Sequence, residues 1–257
     1  AMIRNLATMS KVGLLKPMSQ ASKFVVSRLL DPDGLQKARV HPISILMALK
    51  QYDAGRGFRS TAEWTPVPAI VDALNEAFYL AFKFVEPTGK DFLFGVDVSG
   101  SMTWRISPES NLTSAEVSGA MTLAAAKLEK NYYVMGFANT FRDLGITPNM
   151  RLSEVLKRVQ DNNFGSTRCA LPMEWALKNK VRVDCFVVIT DNEVNSGGHP
   201  KQALRAYREW SGINAKQIVM ATTPTRFTIA DPADPFTLDI AGFDASVPSA
   251  VSEFARL

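Results

Sequence analysis

The chain has 257 residues, 46% of them hydrophobic and 21% charged, a composition that suits one large or two small folded domains and excludes a disordered or low-complexity polymer. No run approaches the roughly 18 to 20 apolar residues of a spanning helix, and the amino end, AMIRNLATMSK, lacks the apolar core of a signal peptide, so no membrane partner and a cytoplasmic location are expected. The formal charge of +4 is unevenly spread: residues 1–90 hold 12 Lys or Arg against 7 Asp or Glu, and residues 91–257 hold 17 against 18.

A basic first third attracts polyanions, because each neutralised phosphate releases counterions and the field steers association. A solvated lysine-rich face is the plainer reading of the charge alone. The chain opens at Ala1 inside an apolar helical pattern (Ile3, Leu6, Ala7), as expected of a fragment of something longer. Helical periodicity then covers 18–30, 42–54 and 67–84, the last bringing Ile70, Leu74, Ala77, Phe78, Ala81 and Phe82 onto one stripe. DPDG at 31–34, AGRG at 54–57, WTPVP at 64–68 and EPTGK at 86–90 read as turns or linkers. Between 54 and 59, Arg56 and Arg59 stand among glycines in a loop suited to a phosphate contact or simply exposed.

After Lys90 short apolar runs alternate with amphipathic helix candidates. The runs are DFLFGVD (91–97), NYYVMGFA (131–138), DCFVVIT (184–190), AKQIVMAT (215–222) and a weaker TLDIAGF (237–243). The helix candidates are 113–130, 152–161, 168–179, 199–211 and 246–256. Strands this apolar are covered on both faces. The expected fold is α/β, a doubly wound, mostly parallel sheet with helices on both faces (89–257), preceded by a small all-α segment (1–88). Cys169 and Cys185 have no CxxC spacing and read as buried thiols. His41 and His199 each precede a proline and read as helix starters.

The first strand ends in LFGVDVSGSM, which sets Asp97, Ser99 and Ser101 just beyond its apolar part. In open α/β sheets, ligands bind at the carboxyl ends of strands, near the point where strand order reverses. DCFVVIT also ends in a carboxylate, Asp191, and FGST sets Thr167 immediately before a helix. Oxygen donors without histidine or thiolate favour a hard cation, and Mg²⁺ takes near-octahedral oxygen geometry while keeping positions for water or a partner. The structural alternative is capping by Asp97, Ser99 and Thr167. Catalysis lacks its parts: Ser99 stands where an aspartyl phosphatase (DxDx[TV]) has its second carboxylate, and neither a GxSxG elbow, a P-loop nor a dinucleotide fingerprint follows a strand. A non-enzymatic protein is expected.

The set DVSGS, the Thr of GST and the Asp of ITDNE resembles the metal-ion-dependent adhesion site of von Willebrand factor A domains. The resemblance implies that Ser99 and Ser101 ligate the metal directly, and Asp97, Thr167 and Asp191 directly or through water. A wider resemblance runs through ARVHPISILMALKQYDAGRGFR, FKFVEPTGK, DVSGSM, CALPMEWA, ITDNE, GGHPKQALRAYRE and FTIADPADPFTLDIAGFD. In order and wording these are similar to the carboxyl-terminal part of the Ro autoantigen, or TROVE-domain, family of ring-shaped RNA-binding proteins.

That resemblance implies binding of small noncoding RNAs of the Y class and of misfolded RNA, in stabilisation, quality control or delivery to an exoribonuclease. It implies a ring of HEAT-like helical repeats that does much of the RNA binding, closed by the A domain. Most of that ring has no counterpart in this sequence, so no RNA-contacting position is carried over from the family. Lys11, Lys16, Lys23, Arg39, Arg56 and Arg59 stand as candidate phosphate contacts, which position RNA without reading its sequence. Of Trp64, Trp104, Trp175 and Trp210, as candidate base-stacking rings, Trp104 in the loop 102–112 is the one expected outside the core. No DNA partner is expected, and the metal is expected to recruit a protein carboxylate or stabilise the fold. Two alternatives are a metal-dependent, adhesion-type protein-binding module with no RNA role, and a metal-assisted hydrolase.

Overall fold

The computed structural model describes residues 2–57, 61–108, 110–137, 140–160, 168–191, 199–223, 228–244 and 246–257. The chain divides into two compact units, residues 1–86 with 107–112, and residues 87–106 with 113–257.

The first unit contains α1 (Met2–Lys11), α2 (Gln20–Leu29), α3 (Pro32–Ala38), α4 (Pro42–Asp53) and α5 (Pro68–Ala81). The expected stripe of α5 is its buried face: Ile70, Leu74, Ala77, Phe78 and Ala81 are all buried, and α5 packs on α2 and α4. Tyr52 ties the unit together. Its ring is 1% exposed, its hydroxyl lies 2.8 Å from Ser10 Oγ and accepts from Val67 N at 3.1 Å. That one phenol thus joins α1, α4 and the entry to α5. Residues 107–112 belong here, with Asn111 Nδ2 donating to the Lys50 carbonyl at 3.0 Å.

The reading of DPDG as a turn is corrected: Asp31 is the N-cap of α3 and Pro32 its first residue. Proline at N1 is preorganised for a helix start, so this is punctuation that opens a helix. The two His-Pro pairs do what was expected of them. His41 Nδ1 accepts from Ile43 N at 3.2 Å and His199 Nδ1 from Lys201 N at 3.2 Å. Burial lowers the His41 pKa to about 4, so Nδ1 stays an acceptor at neutral pH.

The second unit is a six-stranded sheet of β1 (Phe92–Asp97), β2 (Tyr132–Phe137), β3 (Phe141–Asp143), β4 (Cys185–Thr190), β5 (Lys216–Ala221) and β6 (Thr237–Ala241), in the order β3-β2-β1-β4-β5-β6. All neighbours are parallel except β3, which runs antiparallel to β2. The sequence reading missed β3, because three residues are too few to show alternation. The helices are α6 (Ser114–Leu128), α7 (Leu152–Val159), α8 (Leu171–Asn179), α9 (Pro200–Ser211) and α10 (Val247–Arg256). Every residue of β1 and β4 is buried, as a central strand between two helical layers requires.

The core under α8 and α9 gathers Leu93, Met173, Phe186, Leu204 and Tyr207, and the Tyr207 hydroxyl accepts from Val183 N at 2.8 Å. Helix α6 is buried almost all round. It is opened by a capping box in which Thr113 Oγ1 accepts from Glu116 N at 3.2 Å and Glu116 Oε2 accepts from Thr113 N at 2.9 Å. Both cysteines are free and buried, as expected.

Candidate functional site

Strand β1 pairs with β2 on one side and β4 on the other, so the strand order reverses at β1 and β4. A crevice forms beyond the carboxyl ends of two such strands, because their connections leave in opposite directions. Asp97 is the last residue of β1, and Asp191 directly follows Thr190, the last residue of β4. Register alone therefore brings the two carboxylates of distant segments to one end of the sheet.

Asp97 is 1% exposed and is held by both oxygens. Oδ1 accepts from Ser99 N at 2.9 Å, a tight turn that directs the chain into the DVSGS loop. Oδ2 accepts from Thr190 Oγ1 at 2.9 Å. The loop then turns through a 3₁₀ segment, Gly100–Thr103, and Ser99 Oγ lies 3.1 Å from Ser101 Oγ. Burial raises the Asp97 pKa; the hydrogen bonds from Ser99 and Thr190 oppose that shift and the charge of Asp191 adds to it.

Asp191 completes the picture by what it lacks. Its Oδ1 is buried and, among the described residues, has no hydrogen-bond partner, an arrangement that costs free energy unless a cation or donor meets it. Thus Asp97, Ser99, Ser101 and Asp191 converge on one strand-end region. Thr167 lies outside the described residues.

Among the described residues no three of His, Cys, Asp or Glu come together as a metal-binding group. The donors at the sheet end are two carboxylates and two hydroxyls, an all-oxygen set that suits a hard divalent cation with open positions. The orphaned Asp191 Oδ1 fits such an ion. Cys169 adjoins this charge without joining it: burial, then the Asp97 and Asp191 carboxylates, push its thiol up to about 12, so it stays protonated.

The sequence reading missed a layer of supporting residues. Thr222 Oγ1 lies 2.7 Å from Ser114 Oγ and 3.1 Å from the Thr190 carbonyl. Thr190, Ser114 and Thr222 are each no more than 2% exposed. They link the ends of β4 and β5 to the start of α6, behind Asp97. The signal was a threonine closing VVIT and another just after IVMA, polar residues ending otherwise apolar strands.

Of the basic candidates, Lys11, Lys16, Lys23, Arg39 and Arg56 are all exposed in the first unit; Arg59 lies outside the described residues. Trp175 and Trp210 pack against the core. Trp104 is 74% exposed, while its backbone is fixed on both sides: Trp104 N donates to the Ser101 carbonyl at 2.9 Å and Ser114 N to the Trp104 carbonyl at 3.0 Å.

A doubly wound sheet with this oxygen-rich crevice at its switch point defines a von Willebrand factor A-type domain. The chain belongs to the Ro60 vWA domain family, whose model matches residues 91–255, and the TROVE domain model matches residues 1–54. It is 43% identical over 99% of its length to the RNA-binding protein RO60 of Deinococcus radiodurans, covering 49% of that protein. It is 42% identical over 99% of its length to the RNA-binding protein RO60 of Caenorhabditis elegans, covering 39% of it. The crystal structure of the Deinococcus radiodurans RO (RSR) protein superposes with a TM-score of 0.94 at 43% identity, over 99% of this chain and 52% of that one. The chain therefore spans about half the length, or less, of the curated relatives it matches.

Proposed function

We propose that this chain is a non-enzymatic RNA-binding module of a cytoplasmic ribonucleoprotein. Its helical unit meets the phosphate backbone of small noncoding RNA, and its A domain holds a divalent cation, Mg²⁺. The observation that carries the reading is identity of 42–43% along 99% of the chain with proteins named for RNA binding. The charge agrees, since the whole basic surplus lies in residues 1–90. Asp97, Ser99, Ser101, Thr167 and Asp191 are the proposed ligands of the cation, which when bound offers a coordination position to a carboxylate of a protein partner, an exoribonuclease among the candidates. The exposed Trp104 ring, three residues past Ser101, is the aromatic anchor such a partner would cover.

The test is the affinity of the chain for a fluorescent single-stranded RNA across a salt titration. With Lys11, Lys16, Lys23, Arg39 and Arg56 on phosphates, log K should fall with log salt with a slope of roughly −3.5, at about 0.7 per contact. A slope near zero, or no binding at low salt, overturns the proposal.

A further inference from the structure

Where α4 ends, the chain folds back on itself. Gly57 N donates to the Ala62 carbonyl at 2.7 Å and Trp64 N to the Gly55 carbonyl at 2.9 Å, and Arg56 pairs with Glu63 as an antiparallel bridge. These two short arms line an open cleft of about 440 Å³ with Ala54, Gly55, Arg56, Glu63, Trp64 and Thr65. Bridge partners project to the same side of a β pair, so Arg56 and Glu63 stand together.

The cleft is firmly built. Gly55 takes φ +67, and a β-carbon there would come within 3.0 Å of the Trp64 carbonyl, so the close approach of the arms depends on glycine. Trp64 Nε1 donates to the Tyr52 carbonyl at 2.8 Å, and Tyr52 is the buried hub of this unit. With its one polar atom engaged, the indole has only ring carbon left to offer. The two charged groups are differently placed: among the described residues, no hydrogen bond or ion pair holds the exposed Arg56 guanidinium or the exposed Glu63 carboxylate.

We infer that this cleft seats one unpaired nucleotide of RNA, with Arg56 on a phosphate, Trp64 against the base and Glu63 on its edge. The inference rests on the RNA-binding reading and adds a location and a base preference to it. An unengaged guanidinium presents a planar fork that matches phosphate oxygens. Aromatic surface stacks on any base freed from a duplex. A carboxylate can only accept, so it selects a base edge with adjacent N–H donors, which guanine has and uracil does not. The volume matches a single small-molecule-sized group rather than a duplex.

The test uses the full 257-residue chain and two fluorescein-labelled single-stranded nonamers, one with a central guanosine in oligouridine and one of uridine alone. Arg56→Ala, at an exposed position, should weaken binding about tenfold and reduce the salt slope by about 0.7, and Arg56→Lys should restore the slope but only part of the affinity. Glu63→Gln should erase the preference for the guanosine oligonucleotide, and ultraviolet crosslinking should map to Trp64. If the parent chain binds RNA and Arg56→Ala binds with the same affinity and slope, the cleft is not the site while the RNA reading stands. If the parent chain binds neither oligonucleotide at any salt, both fall. If it instead captures an acidic peptide through Arg56 in competition with RNA, the cleft is a protein site and the nucleotide assignment is overturned.

Discussion

In EDTA, Asp191→Ala should be at least as stable as the parent chain, and Mg²⁺ should add nothing to it. The parent should gain about 2.7 kcal/mol at a Mg²⁺ concentration about 100 times the dissociation constant. At about 2–4 °C per kcal/mol for a domain of this size, that is a rise of roughly 5–10 °C in melting temperature. The opposite signs follow from the site. Among the described residues, Asp191 Oδ1 is buried without a hydrogen-bond partner, so without metal it should cost more than it contributes, and removing it should relieve that cost. Asp97 differs, because Ser99 N and Thr190 Oγ1 both donate to it, and Asp97→Ala should lose stability with or without metal. Thermal unfolding of the three proteins in EDTA and in Mg²⁺ checks this. An Asp191→Ala protein that is much weaker in EDTA, or that keeps the Mg²⁺ shift, would show that Asp191 serves the fold rather than an ion.

The second large effect is at Gly95. A β-carbon on Gly95 would run into Pro172 Cγ and come within 3.4 Å of Phe137 Cε1, and a proline ring at the start of α8 cannot turn aside. Gly95→Ala should therefore destabilise the A domain by about 1–3 kcal/mol through overpacking. The damage should also reach the proposed metal site, since side chains at 95 and 97 leave β1 on the same face. Urea unfolding and a Mg²⁺ titration read the two effects. An unchanged midpoint would mean that α8 can shift away from β1 at no cost.

Much of this architecture was legible in the sequence because its signals are local. The apolar runs that end in Asp97 and Thr190 are the two fully buried central strands, and the helical stripe of α5 is its packed face. The placement of Asp97, Ser99, Ser101 and Asp191 was legible for the same reason: strand ends are visible in the sequence, and in open α/β sheets that is where ligands bind.

What escaped was short or relational. Three residues of β3 carry no period, and DPDG is equally good chemistry for a turn or a helix start. The roles of Thr190, Ser114 and Thr222 exist only once β4, β5 and α6 are side by side. The cleft between Arg56 and Trp64 was half legible: AGRG marked the loop, but nothing in the sequence tied Trp64 to Tyr52.

On the proposed function, RNA is held by the charge of the helical unit and not by the candidate metal site. The most direct measurement compares single-stranded RNA affinity, at about 0.1 M salt, for the parent chain, Asp191→Ala and the triple reversal Lys11→Glu, Lys16→Glu, Lys23→Glu. Reversing three exposed lysines should weaken binding by more than about tenfold, with Asp191→Ala within about twofold of the parent, because no RNA phosphate is asked to meet the metal. A folded Asp191→Ala protein that loses RNA as severely as the triple reversal, or a triple reversal that binds as the parent does, would contradict it.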